Sequence, residues 1–340
     1  MKKYLLIAAA VLVMAACAKT DKTTTGEEAK EYLETYMDTF YPGVLPNVNG
    51  IYILEDEPGT GDLWNPEIAY IYAGSTIRTL GGTISSTTDK VLSQQLGTFE
   101  TGNYYGPKYS ATGEGSSYAG VDALLTGMRQ GGTRTAIIPS WLLTTSRYDK
   151  AEDYLKNCSS STHLMYTISL SGQCADMAVA EKDSLQRYVN RHFGPDKASV
   201  HVPGSENQYD GMFYFVSDTT AFEGVDQRKE DGTYKLNYTG RLLNGQVFDT
   251  TDEIVAKDAG IYKASKTYEP VSISFSSTVS SISLDGSTSL VKGFQSGLYK
   301  LHWRGQKATI LFTSTLGYDT SGSGNAIPGY SPLIFELELL

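Results

Sequence analysis

Cysteine, histidine and positive charge are all scarce in this chain. Three cysteines in 340 residues cannot form the framework of a disulfide-dense scaffold. Four histidines, His163, His192, His201 and His302, stand far apart. None has a second ligand at metal spacing, so they read as surface or satisfied core residues, and no metal is expected. Lys and Arg number 28 against 38 Asp and Glu, a formal net charge of −10. The basic footprint that phosphate binding needs is missing, which argues against nucleic acid as a partner. No apolar run is long enough to remain in a bilayer as a spanning helix. G-x-S-x-G, P-loop and H-E-x-x-H patterns are absent. Ser289-Leu290-Val291-Lys292 matches S-x-x-K, but the accompanying S-D-N and K-T-G are missing, so a serine enzyme of that type is set aside.

What is abundant points to strands. The chain has 34 Gly and 24 Tyr, residues of turns and sheets. Hydrophobic content of 40% suffices for a core. The length allows two or three domains. Residues 27–41 place Tyr32, Leu33, Tyr36, Met37 and Phe40 near helical spacing, with Gly43 just beyond. A second helical patch covers about 175–193. Strand-rich segments follow each of them.

At the start, Lys2 and Lys3 precede an apolar run, Tyr4 to Ala16, and then Cys17. This pattern makes a secretory signal. Val13-Met14-Ala15-Ala16-Cys17 resembles a bacterial lipoprotein lipobox. The resemblance implies cleavage before Cys17, acylation of Cys17, and a lipid anchor in the cell envelope. Several acyl chains hold a protein on a membrane where one does not. Ala18 resembles outer-membrane sorting, and residues 18–26 read as a tether.

The two strand-rich segments run in the same order: an opening strand, a strand with Tyr and Gly, a short helix, a glycine turn, a strand and a closing strand. In the second, Leu333, Phe335, Leu337 and Leu339 alternate cleanly with polar residues, the mark of a half-buried antiparallel strand. Its only expected helix, about 293–301, is too short to stand alone and must be covered. The expected fold is therefore α+β, with a twisted antiparallel sheet wrapped over one short helix in each half, and connecting helices.

Three stretches of the second half resemble the FKBP-type peptidyl-prolyl cis–trans isomerases. They are YTGRLLNGQVFDTT (238–251), LVKGFQSGLYKLHWRGQKATILFTSTLGYD (290–319) and SGSGNAIPGYSPLIFELELL (321–340). Carried over residue by residue, the resemblance implies a pocket walled by Tyr238, Phe248, Leu290, Val291, Phe294, Ile327 and Phe335. Asp249 and Tyr318 are its polar groups. Tyr318 is expected to donate a hydrogen bond to the substrate carbonyl, and Asp249 to polarise or order one side. The Val291 N–H is expected to hold the next carbonyl, and Phe294 to seat the proline ring. Phe294 stands where the family usually has Trp, Val271 where an aromatic wall residue is common, and Asp319 where glycine usually follows the tyrosine. The loops 252–269 and 276–289 are longer than in compact members. No cofactor is implied, and the partners are proline-containing polypeptides and a membrane. A second reading from a different class is a non-catalytic binding lipoprotein of the same fold.

The first half resembles the same fold more distantly. Tyr72 and Gly74 are placed at the positions of Tyr238 and Gly240, and Tyr166 at that of Phe335. Ile84-Ser85 fall on Phe-Asp, Val121 on the aromatic floor and Thr144 near the tyrosine, so no pocket is expected to survive. Cys158 and Cys174 flank its closing strand; a disulfide and two separate buried thiols both remain open. The expected division is 1–16 signal peptide, 17–46 tether and short helix, 47–172 degenerate FKBP-like domain, 173–205 helical linker and 206–340 isomerase domain.

Overall fold

A computed structural model describes residues 24–195, 211–216 and 227–340; Cys17, with its lipobox-like segment, and His201 fall outside them. Helix α1 (Thr25–Phe40) begins at a capping box, in which Thr24 Oγ1 accepts from the Glu27 N–H and the Glu27 carboxylate accepts from the Thr24 N–H. Then follow β1 (Tyr52–Glu57), β2 (Tyr70–Thr79), β3 (Ile84–Thr87), α2 (Lys90–Gln95), β4 (Lys108–Ala111), α3 (Ala119–Leu125), β5 (Thr133–Ile138), α4 (Ala151–Lys156) and β6 (Leu164–Cys174). The second half comprises α5 (Met177–His192), β7 (Met212–Val216), β8 (Thr233–Leu242), β9 (Val247–Thr250), α6 (Glu253–Asp258), β10 (Val271–Ser274), β11 (Ser283–Leu284), α7 (Lys292–Tyr299), β12 (Lys307–Phe312) and β13 (Leu333–Leu339). The segments read as long loops, 252–269 and 276–289, thus carry α6 and β11.

Each half builds one antiparallel sheet. The first runs β1-β5-β6-β2-β3, with β4 beside β3 on the same edge of β2. The second runs β7-β12-β13-β8-β10-β11, with β9 sharing β8 with β10. The order is the same, and so is the register. Arg78 pairs with Ile84 next to a bulge, as Arg241 pairs with Val247. Tyr166 lies opposite Ile77, as Phe335 lies opposite Gly240.

Side chains repeat the match. Thr76 and Thr87 hydroxyls meet at 2.8 Å, as do those of Thr239 and Thr250. The Ser75 N–H donates to Thr88 Oγ1 at 2.9 Å, and the Tyr238 N–H to Thr251 Oγ1 at 3.0 Å. Asp89 caps α2 and Asp252 caps α6. This register corrects the expected alignment of the first half. Ser75 and Ile77, rather than Tyr72 and Gly74, stand at the Tyr238 and Gly240 positions. Ser85-Ser86, rather than Ile84-Ser85, stand at Phe248-Asp249.

Alternation along the strands gives each sheet two apolar faces. Ala136, Ile138, Tyr166 and Ile168 pack against Leu124 and Leu125 of α3. The intervening Ile137 and Met165 pack against Leu33 and Met37 of α1. In the second unit Phe294 and Leu298 of α7 meet Ile310, Phe312, Phe335 and Leu337. Leu311 and Ile334 meet Leu185 and Val189 of α5. The helices expected as connectors thus also cover the outer faces of the sheets.

Gly293 lets α7 lie this close, since a Cβ there would stand 2.4 Å from the Phe312 ring. Both thiols are free: Cys158 donates to Ser160 O at 3.0 Å and Cys174 ends β6. His163 is a satisfied core histidine, 3% exposed between Ser140 N–H and Ala29 O. Among the described residues no helix is long and apolar enough to cross a membrane, and no His/Cys/Asp/Glu cluster could hold a metal.

Candidate active site

The nine residues marked out in the second half, Leu290 among them, come together on the face of its sheet that holds α7. Tyr238 comes from β8, Phe248 and Asp249 from β9, and Phe335 from β13. Val291 is the N-cap of α7 and Phe294 lies in its first turn. Tyr318 follows a 3₁₀ turn (Ser314–Leu316), and Ile327 comes from the loop before β13. The rings of Phe294 and Phe335 are 4.5 Å apart, Tyr238 and Phe294 5.7 Å, and Phe248 and Phe335 5.5 Å in an edge contact. Gly240 makes room for them, because a Cβ there would lie 2.5 Å from Phe248 and 3.0 Å from Phe335. Phe294, Ile327 and Phe335 are buried, whereas Tyr238, Phe248, Asp249, Val291 and Tyr318 are part-exposed.

Asp249 is fully engaged. Its Oδ2 accepts from the Tyr238 hydroxyl at 2.7 Å, and its Oδ1 from the Thr250 N–H at 2.9 Å and from Lys266 Nζ. Lys266 also donates to Thr250 O at 2.9 Å. A carboxylate so held is fixed in place and orientation. It helps push the Tyr238 hydroxyl pKa far up, although burial is the larger cause. Burial first, and then Asp249, also raise that of Tyr318. The Tyr318 hydroxyl therefore stays protonated, and it has no hydrogen-bond partner among the described residues.

The turn that carries Tyr318 is anchored from the outer helix. Glu181 of α5, 2% exposed, accepts from the Ser314 N–H and hydroxyl, each at 2.6 Å. Burial pushes the Glu181 carboxyl up, against the pull of the two Ser314 bonds. In the first unit His163 Nδ1 takes the equivalent Ser140 N–H at 3.0 Å. Lys266 and Glu181 escaped sequence reading. Neither lies in a motif; Lys266 folds back through the loop after α6, and Glu181 arrives from a helix distant in the chain. The repeated Ser-Thr-Thr-Asp and Asp-Thr-Thr-Asp (86–89 and 249–252) was the signal that would have set the first-half register.

At the equivalent place in the first unit there is a cavity of about 350 Å³, lined by Ser75, Tyr118, Val121, Tyr166 and others. The pocket was expected to be lost. What is missing is its chemistry: serines replace Tyr238, Phe248 and Asp249, and Thr144 stands for Tyr318.

Fold and site together define an aromatic cluster with one held carboxylate and one free phenol on the helix-bearing face of the second sheet. Residues 224–340 match the family model of the FKBP-type peptidyl-prolyl cis-trans isomerases. A probable FKBP-type isomerase of Haemophilus influenzae is 31% identical over 38% of this chain and 42% of its own. FK506-binding protein 1A of Aspergillus fumigatus is 32% identical over 34% of this chain and 83% of its own. The chain thus spans less than half of the bacterial relative and most of the fungal one. A solved isomerase of Pseudomonas syringae aligns over 50% of this chain and 97% of its own at 18% identity, with a TM-score of 0.30, too loose to bear on the fold. The chain belongs to the FKBP-type peptidyl-prolyl cis–trans isomerase family.

Proposed function

We propose that the second unit catalyses cis–trans isomerisation of X–Pro bonds in polypeptides. Rotating an amide costs about 18–20 kcal/mol because resonance is lost in the twisted state. No covalent bond breaks and no proton must move. The twisted amide is less polar than the planar one, so an aromatic slot favours it over water. Each roughly 1.4 kcal/mol of such preference is tenfold in rate. Phe294 and Phe335 form the slot, with Phe294 under the proline ring. Tyr318 donates to the substrate carbonyl, and the Val291 N–H to the next. Asp249 orders Tyr238 and Lys266 along one wall.

The observation that carries this reading is the unpartnered, protonated Tyr318 hydroxyl beside an aromatic floor. A protease-coupled assay of the full chain on an X–Pro peptide tests it. Phe294→Ala and Asp249→Leu should each lower kcat/KM; unchanged rates in both overturn the site assignment.

The first unit lacks the aspartate, the floor ring and the tyrosine, and is a non-catalytic companion that binds or positions. The lipobox-like Val13–Cys17 supports a lipid-anchored role in the folding of exported proteins at a bacterial envelope, on the outer membrane by Ala18. Cys17→Ala should release the chain from the membrane fraction; retention there overturns the anchor.

A further inference from the structure

The loop between α2 and β4 of the first unit crosses to the mouth of the second unit's pocket. It is fixed at three points. Thr101 Oγ1 donates to Gly260 O, after α6. Gln246 Nε2, in the turn between β8 and β9, donates to Asn103 O at 3.2 Å. The Tyr104 N–H donates to Asn325 O at 2.8 Å, in the loop that carries Ile327. The Tyr104 ring packs against the second unit's core, and burial holds its hydroxyl pKa far above the usual range. These anchors come from three of the segments that frame the aromatic slot.

The loop lines the mouth without filling it. A cavity of about 650 Å³ lies between the loop and the slot. Five consecutive residues of the first unit, Phe99 to Asn103, form one side, and Phe248, Asp249, Lys266 and Tyr268 of the second belong to the other. Phe99 is braced by stacking on Tyr105, with ring centres 5.3 Å apart. The volume lies within the roughly 300–1,000 Å³ of pockets that enclose a small organic ligand, the size of a few amino-acid residues. It shares Phe248 and Asp249 with the wall of the slot, so a chain seated in the slot and leaving past them runs along the loop.

We infer that Phe99–Asn103 is a substrate-contacting wall, which makes this chain select proline within extended polypeptide over proline in short peptides. The inference rests on the isomerase reading for its turnover, though not for its binding. The occupant is the substrate polypeptide itself, because the cavity shares Phe248 and Asp249 with the slot.

The test uses the full chain and two probes: the tetrapeptide Ala-Leu-Pro-Phe, and a 15-residue peptide with the same four residues at its centre. Both kcat/KM, by exchange NMR, and Kd, by calorimetry, are measured. The wild type should favour the long peptide about tenfold in both. Phe99→Ala and Glu100→Lys, at a partly exposed and an exposed loop position, should cut that ratio to about twofold with melting temperatures held. An unchanged ratio in both variants overturns the wall. Faster turnover of both peptides also overturns it, by making the loop a plug. Absent turnover with Phe99-dependent binding overturns the isomerase reading and keeps the wall. Neither turnover nor binding overturns both.

Discussion

Replacing Tyr318 by Phe removes one oxygen from the site and almost nothing from the fold. The ring packs against the second unit's core, and Phe keeps that contact. The hydroxyl has no partner among the described residues, so the native state loses no internal hydrogen bond. Stability should change by no more than about 0.5 kcal/mol. Catalysis should change more. Burial and the Asp249 charge keep the phenol protonated, and hence a donor, through neutral pH. A neutral hydrogen bond has a net worth of about 0.5–1.5 kcal/mol. If it is made to the twisted amide, its loss lowers kcat/KM roughly 2- to 13-fold. Exchange NMR on an X–Pro peptide, paired with a thermal melt, reads both quantities. An unchanged kcat/KM refutes the donor role. A melting temperature lowered by several degrees refutes the claim that the hydroxyl is free.

Asp319 sits at φ 51°, in the left-handed region that favours glycine. Asp319→Gly should relieve about 1–2 kcal/mol of strain against a glycine entropy cost of roughly 0.5–1 kcal/mol. Urea denaturation should show a small net gain, and a loss counts against the strain argument. His163 is held neutral, with Nδ1 accepting from the Ser140 N–H and Nε2–H donating to Ala29 O, and burial lowers its pKa from 6.5. Its stabilisation is therefore complete above pH 6.5 and is lost as pH falls through the depressed folded value. The wild type should lose stability across that range with a slope that His163→Gln lacks; equal slopes contradict the assignment.

Much of the second unit was readable because its signals are local. Period-two alternation marks β13, and the glycine before Phe294 marks where a helix must touch a sheet. Phe248-Asp249 sit in a short strand directly after a tight turn, and Tyr318 just after a 3₁₀ turn. The first unit misled at Tyr72 and Gly74, whose spacing imitates the Tyr-x-Gly of β8 three residues early. Strand pairing, with its bulge beside Arg78, shows that Ser75 is the true counterpart, in agreement with the Thr-Thr-Asp shared by 87–89 and 250–252. Helices α1 and α5 could be read from Leu33 and Met37, and from Leu185 and Val189, each pair one turn apart. Their place on the outer sheet faces could not, since that depends on the opposite side chains of distant strands. Lys266 reaches Asp249 through loop closure, and Thr101 reaches Gly260 across the two units. Neither contact leaves a periodic trace in the chain.

The most direct test is two-dimensional exchange NMR of an X–Pro peptide with a substoichiometric amount of the wild-type chain. Uncatalysed exchange takes tens to hundreds of seconds at about 25 °C. The slot described here predicts exchange cross-peaks at sub-second mixing times that scale with protein concentration and fade in Tyr318→Phe. Exchange no faster than in buffer alone would contradict the claim that the second unit is an isomerase.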